Sequence, residues 1–468
     1  MTPNWFATTA LLLWPVVAIG LYLKMPVGRA TLWTILAAQL LLPAGMSIKF
    51  QGIPQFDKIS IPNLMIFVGC LMVGRSWRTW TRLGFVEVLV LMALIGPFIT
   101  AELNDDPVLL SNGSVLPAET HYDALSAVVS QFTLMIPFFM GRQILRSAHD
   151  TAEILKVLVI AGLLYSLPML FEIRMSPQLH SWIYGYFPSQ FAQAMREGGF
   201  RPVVFMGHGL PVAFFAMTAA VASAALWRTQ IFVHRLPPAG VTAYLSGVLV
   251  LCKTLGALIY GAVLIPLVRF AKPNIQLRVA VVLVTIALVY PTLRLADIVP
   301  TRFMNDAAFM IDPERGQSLH FRFSNEDMLL ERASERLFFG WGRWGRSRIY
   351  TTEESGKDIS VTDGNWIITI GQFGLFGFFA QYGLLALPIF RAATALRFIR
   401  STHDKVYLAA IALILSTNVV DLMPNNTLLP WTWLLAGALL GRSEAVAIAA
   451  RQRVRTDSYS VIKSRAPV

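Results

Sequence analysis

Charge is scarce in this chain of 468 residues: Asp, Glu, Lys and Arg supply 14% of it, where a soluble globular domain carries about 25%. That scarcity excludes an ordinary soluble domain, and long uninterrupted apolar runs exclude a soluble protein with an oversized core. Cysteine is scarcer still. Cys70 and Cys252 both lie within or beside apolar runs, so no disulfide framework is implied. Sustained heptads, low-complexity tracts and tandem repeats are absent. The stretch MTPNWFATTA carries no charge, and without a basic n-region the first apolar run is expected to stay as a span and not to act as a signal peptide.

Apolar residues dominate instead, at 55% of the chain and a mean hydropathy of +0.57. Runs such as ATTALLLWPVVAIGLYL, FVEVLVLMALIGPFITA, AEILKVLVIAGLLYSLPMLF and LPVAFFAMTAAVASAALW match or approach the ~20 residues that cross a bilayer. The sequence therefore predicts an all-α polytopic integral membrane protein, one membrane domain over 1–468 with about 12 or 13 spans. Two places leave the number open: the N-terminal pair, and 240–270, where CKTLGALIYG either joins two spans or interrupts one.

The net charge of +12 follows topology and does not call for nucleic acid. Basic residues cluster in short loops: Arg75, Arg78 and Arg82; Arg142 and Arg146; Arg228 and Arg235; Arg269, Lys272 and Arg278; Arg391, Arg397, Arg400 and Lys405. Arg451, Arg453, Arg455, Lys463 and Arg465 follow in a basic tail over 443–468. The positive-inside rule places these loops and the C-terminus in the cytoplasm. The intervening loops then face outward, Lys49 and Lys58 included. Residues 103–124 are acidic, and 173–207 and 293–362 are long, mixed in charge and aromatic.

Residues 293–362 form the longest polar interruption, and loops of that length are usually functional or disordered. Order is expected here. In SNEDMLLERASERLFF (324–339) Ser324 can cap a helix with Asp327 three residues on, and Met328, Leu329, Ala333 and Leu337 recur at helical spacing. Arg332 and Arg336 then share a face, and Gly340 and Gly342 end the helix. GWGRWGRSRIY (340–350) follows, with Arg343, Arg346 and Arg348 among Trp341, Trp344 and Tyr350. Guanidinium groups hold phosphate oxygens bidentately, and aromatic faces pack on sugar rings or mark the lipid interface. Any one of these arginines is better explained by a neighbouring carboxylate or lipid headgroup. The group, with Arg322 upstream, points to an anion site.

The segments of the C-terminal half resemble, in order, those of the O-antigen ligase and Wzy polymerase superfamily of bacterial surface-glycan enzymes. FRPVVFMGHGLPVAFF (200–215) resembles the family's arginine-bearing external segment entering a helix. CKTLGALIYG (252–261) resembles its S/T–R/K–G segment. SLHFR (318–322) with ERASERLFFGWG (331–342) resembles S-x-x-x-R, a helix and a P-x-x-G-x-G turn, here without the proline. DGNWIITIGQFGLFG (363–377) resembles H-N-x-x-L-x-x-x-x-x-x-G-x-x-G, with Asp363 where ligases carry histidine and Asn365 two places later. That departure favours a polymerase over a ligase.

The resemblance implies glycosyl transfer outside the bacterial inner membrane, from an undecaprenyl-diphosphate-type lipid-linked oligosaccharide to another lipid-linked repeat unit. It implies no cofactor and no metal; the adjacent Asp105 and Asp106 are too weak a ligand signal to argue otherwise. Arg322, Arg201, Arg343 and Arg346, then Lys253, are the expected diphosphate ligands, with Arg332, Arg336, Trp341 and Trp344 around them. Asp363 is the expected base, although TDGN is also a self-sufficient turn. His208 is an alternative base, set against the ordinary structural histidine. Glu87 and Asp421, near or within spans, are expected to pair with basic residues. Membrane lipids and a chain-length regulator or export protein are the expected partners. A ligase, a lipid-linked-glycan flippase and an accessory subunit remain alternatives; the flippase is disfavoured because the polar residues of interest gather in external loops.

Overall fold

The structure is a computed structural model that describes residues 2–50, 53–74, 84–196, 198–351 and 356–464. The expected basic residues Arg75, Arg78, Arg82 and Arg465 lie outside them. The described chain is mainly helical: α1 (Trp5–Lys24), α2 (Val27–Leu41), α3 (Ser60–Met72), α4 (Phe85–Glu102), α5 (His121–Ile144), α6 (Ala148–Met175), α7 (Leu179–Tyr184) and α8 (Gly209–Arg228). These are followed by α9 (Pro238–Leu251), α10 (Leu255–Phe270), α11 (Pro273–Leu295), α12 (Thr301–Ile311), α13 (Pro313–Ser334), α14 (Asn365–Ala395), α15 (Thr402–Asp421) and α16 (Pro430–Ser464). Three antiparallel two-stranded hairpins interrupt them: β1–β2 (Ser47–Phe50, Ile53–Asp57), β3–β4 (Val108–Leu109, Val115–Leu116) and β5–β6 (Met195–Arg196, Gly199–Phe200).

Among the described residues, α1, α4, α5, α6, α8, α11, α14 and α16 are long and apolar enough to cross a membrane, and α2, α3, α9 and α10 are shorter apolar helices. With α15 that makes thirteen helices against the 12 or 13 spans expected, but only eight of those described are both long and apolar enough to cross. The core lies around α15, buried from Val406 to Thr417, with α6, α8, α11, α14 and α16 packed on it. Leu12, Val16, Leu164, Leu167, Val263 and Val282 instead face outward. A soluble protein does not expose large apolar side chains on this scale, and such faces suit lipid.

The two ends of the bundle differ. One is tied by ion pairs: Arg142 bridges Glu87 at 3.0 Å and Glu444 at 2.7 Å, Arg29 meets Glu153 at 2.6 Å, and Arg442 meets Asp404. Glu87 thus has the basic partner expected of it. Capping boxes from Thr120 to Asp123 and from Ser147 to Asp150 start α5 and α6; α6 starts at this end and α5 at the opposite one. That opposite end carries the three hairpins, α7, α12, α13 and the loop before α14. Lys58 belongs there, donating to the carbonyls of Gln39, Leu42 and Phe205. CKTLGALIYG joins two helices: Lys253, at φ +49°, turns the chain between α9 and α10.

One expected element is corrected. Ser324 does not cap a helix, because α13 begins eleven residues earlier at Pro313; proline fits a first helical turn, where its missing N–H costs nothing. Over 443–464 the basic C-terminal segment continues α16 as helix. α14 is broken at Gly374 (φ 65°, ψ −166°), a conformation closed to other residues. The break frees backbone groups that the 337–342 segment takes up. Leu375 and Phe376 N–H donate to the carbonyls of Leu337 and Phe338, while Trp341 and Gly342 N–H donate to those of Gly371 and Gln372.

Candidate functional site

At the hairpin-bearing end, a cavity of about 520 Å³ opens between α8, α10, α12 and α13. Arg196, Arg201, Lys253 and Arg322 all line it, with Asp312 and Asp421. Arg201 comes from the loop entering α8, Lys253 from the α9–α10 turn and Arg322 from α13. Each lies on a different one of the segments that carry the family resemblance. Arg196 is brought in by the β5–β6 hairpin, where Met195 pairs with Phe200.

Arg201 is the unusual member. It is 5% exposed, and its Nε is buried with no hydrogen-bond partner. Burial, with Arg196 adding to it, pushes its pKa down to about 10, so it stays charged at neutral pH. A buried unpaired cation is costly, and an anion in the cavity would relieve that cost. Two glycines make the packing possible. A Cβ at Gly209 would fall 1.9 Å from Arg201 Cδ, and one at Gly199 2.5 Å from Lys253 Nζ.

The loop that presents Arg201 is held from below. The buried carboxylate of Glu172, at the end of α6, accepts from the backbone N–H of Val203 and Val204 at 2.8 Å and of Leu179 at 3.0 Å. Tyr165 Oη accepts from Phe205 N–H. Val204 sits at φ +45°, a strained region for a β-branched residue that persists only when its surroundings over-determine it. Replacing Glu172 with alanine is therefore expected to release the loop and orphan three backbone donors, two of them buried. Thermal unfolding should fall and anion affinity at Arg201 should drop with it, while Glu172→Gln, which keeps one acceptor oxygen, recovers part of both. Unchanged affinity in a Glu172→Ala protein would remove this positioning role.

Arg322 joins this cavity to a second, of about 200 Å³, lined also by Tyr290, Glu326 and Asp363. Arg322 Nε lies 3.7 Å from Asp363 Oδ2, and its Nη1 donates to Pro424 O at 3.3 Å. The adjacent Asn365 N–H donates to Leu422 and Asn425 carbonyls, fixing the Asp363 turn against the end of α15. Glu326 accepts from Tyr290 Oη at 3.0 Å and lies 3.5 Å from Arg294. Its burial outweighs these contacts and raises its pKa above the usual carboxylate range.

The remaining expected residues gather elsewhere. Trp341, 7% exposed, donates to Arg332 O and lies under both Arg332 and Arg336, whose guanidinium carbons are 3.4 and 4.4 Å from its ring centroid. Arg336 also donates to Leu103 O and Asn104 Oδ1. Arg346 is fully buried and donates to the carbonyls of Trp341, Asp106 and Pro117. Arg343 N–H donates to Glu119, and Trp344 Nε1 donates to Asp123 at 3.0 Å. Of these six residues, Arg336, Arg346 and Trp344 by their side chains and Arg343 by its N–H bind the 335–348 loop to the acidic 103–124 segment, while Arg332 and Trp341 stack on each other. They line neither cavity, so the expected arginine–tryptophan anion site is not where the cations converge.

His208 is also used internally. It caps α8, its Nδ1 accepting from Leu210 N–H at 3.2 Å, with Nε2 3.0 Å from Gln193 Oε1. Burial, then Arg201 and Arg196, lowers its pKa, and both ring nitrogens are engaged within the chain. Asp421 does not pair with a basic residue as expected. It accepts from Asn425 and Thr427 and lines the larger cavity.

Arg196, Asp421 and Glu326 are the residues that sequence reasoning missed or undervalued. REGGF, a hairpin turn beside Arg201, and Asp421 at the polar end of an apolar run were the available signals. Among the described residues no three His, Cys, Asp or Glu side chains gather as a metal site. No protein-family model matches the chain, and no curated protein matches it.

Proposed function

We propose that this protein is a multi-pass glycosyltransferase of the bacterial inner membrane, with its C-terminus cytoplasmic and its site periplasmic, that polymerises polyprenyl-diphosphate-linked repeat units of a surface polysaccharide. The observation that carries it is the convergence of Arg196, Arg201, Lys253 and Arg322 on one cavity, Arg201 without a partner for its buried Nε. In this reading the glycosidic C1–O bond to the diphosphate breaks as the acceptor oxygen bonds to C1. The acceptor hydroxyl proton passes to Asp363. The diphosphate leaves as an anion held by the four cations, so no acid is needed there. Preorganised donors act on charge as it develops, without reorganising.

Asp363 lines the smaller cavity beside Arg322, which both cavities share, and in this reading the acceptor enters from that side. A finished glycan transferred to another acceptor would use the same cations, so polymerase and ligase share this site. The test is complementation of a knockout strain with Arg201→Ala, Arg322→Ala and Asp363→Ala, resolving lipid-linked intermediates by size and checking membrane levels. Single repeat units accumulating without polymer support the polymerase. Polymer of full length, retained on its lipid carrier, would mark a ligase. Normal polymer in all three variants would discard the site.

A further inference from the structure

A third cavity, of about 190 Å³, lies between α4, α5, α14 and α16, on the other face of the first turns of α14 from Asp363. Asn365, Ile368, Thr369 and Gln372 face it, while Gly364 and Ile367 face the Asp363 side. Its existence depends on the break at Gly374, which separates Gln372 and Phe373 from Gly377 and Gln381 across the opening.

The lining has no charged side chain but is rich in amides: Gln131, Gln372, Gln381 and Asn365. Gln381 Nε2 donates to Asn365 Oδ1 at 2.7 Å. Among the described residues the side-chain amides of Gln131 and Gln372 make no hydrogen bond. Trp433, another wall residue and 1% exposed, has its buried indole N–H without an acceptor. Buried polar groups are ordinarily satisfied, so the Trp433 N–H is itself a signal, and the half-buried Gln131 and Gln372 amides stand open beside it. A lipid chain would leave all of them unpaired, and an anion would find no cation.

We propose that this cavity binds one uncharged sugar ring of the acceptor glycan, a ring other than the one that reacts. The proposal rests on the transferase reading above. Side-chain amides both donate and accept, which matches hydroxyls, and Phe373, half-buried in the wall, supplies an aromatic surface for the apolar side of a ring. The volume suits a single ring.

The test uses the full-length protein in lipid nanodiscs with diazirine-bearing alkyl glycosides of glucose, galactose and N-acetylglucosamine, the labelled residues mapped by mass spectrometry. Saturable labelling on α4 or α14, competed by the matching free methyl glycoside but not by undecaprenyl diphosphate, is expected for at least one sugar. Gln131→Ala and Gln372→Ala should each weaken it about two- to tenfold, and Ala93→Phe, which fills the cavity, should abolish it in protein that still unfolds cooperatively. Equal labelling by an alkyl diazirine without sugar would make this a lipid-chain cavity and overturn the proposal. Loss of label to undecaprenyl diphosphate, or no saturable label with any glycoside, would overturn it too. Binding of undecaprenyl diphosphate is read in the same samples through Arg201 and Arg322 variants, so failure of the donor site is seen separately.

Discussion

Arg201→Met and Arg322→Ala should each lower the rate of glycan transfer by about 10²–10³, the loss typical when one preorganised donor to a developing anion is removed. Neither should cost the fold much, for different reasons. Arg201 is buried with an unpartnered Nε, so methionine in its place removes a desolvation penalty and keeps the apolar stem over Gly209. Its thermal unfolding temperature in detergent is expected to stay level or rise. Arg322 is a third exposed and shared between Asp363 and Pro424 O, so its removal should leave stability nearly unchanged. Arg322→Lys keeps charge but loses the planar fork, and should fall between wild type and alanine. In the proposed function both arginines act on one diphosphate, so the double variant is expected to lose less than the product of the single losses. Purified variants assayed for transfer and for polyprenyl-diphosphate binding check this. An Arg201→Met protein that is less stable and fully active would reverse the assignment.

Much of the bundle was legible because apolar runs of bilayer length leave little choice of structure. The three cation-bearing segments were legible as well, from the resemblance alone. What sequence could not supply was the identity of the partners. Arg201 and Arg346 are both arginines near glycines and aromatics, yet one has its Nε unsatisfied and the other is used up by three backbone carbonyls. That difference lies in contacts to residues 229 and 240 positions away, such as Pro117 and Asp106, which no local pattern records. The start of α13 was missed for a related reason. Ser324 and Asp327 satisfy a capping pattern, but the upstream DPERGQSLHF is also compatible with helix, and Asp327 is instead drawn to Arg294 at 2.6 Å. The amide cavity was invisible because it is made by the break at Gly374, whose backbone is completed by 337–342.

GWGRWGRSRIY therefore has a structural task first, and Arg346→Ala should show it. With Arg346 fully buried, alanine would orphan the carbonyls of Trp341, Asp106 and Pro117 together. At about 1–3 kcal/mol for each unsatisfied group, offset by entering water, the cost should be on the order of 3–5 kcal/mol. Membrane levels and thermal unfolding temperature should both fall, and lysine should rescue little, because one ammonium cannot span the acceptors of a guanidinium fork. Transfer per folded molecule should stay near wild type, since Arg346 lines neither the 520 Å³ cavity nor the cavity at Asp363. Arg201 and Arg346 thus make opposite predictions from one residue type: in the proposed function the first gives up stability to hold an anion, while the second uses its donors on the chain itself. A stable Arg346→Ala protein with transfer lost would instead place the arginine–tryptophan loop in the substrate path, at the expense of the cavity between α8 and α13.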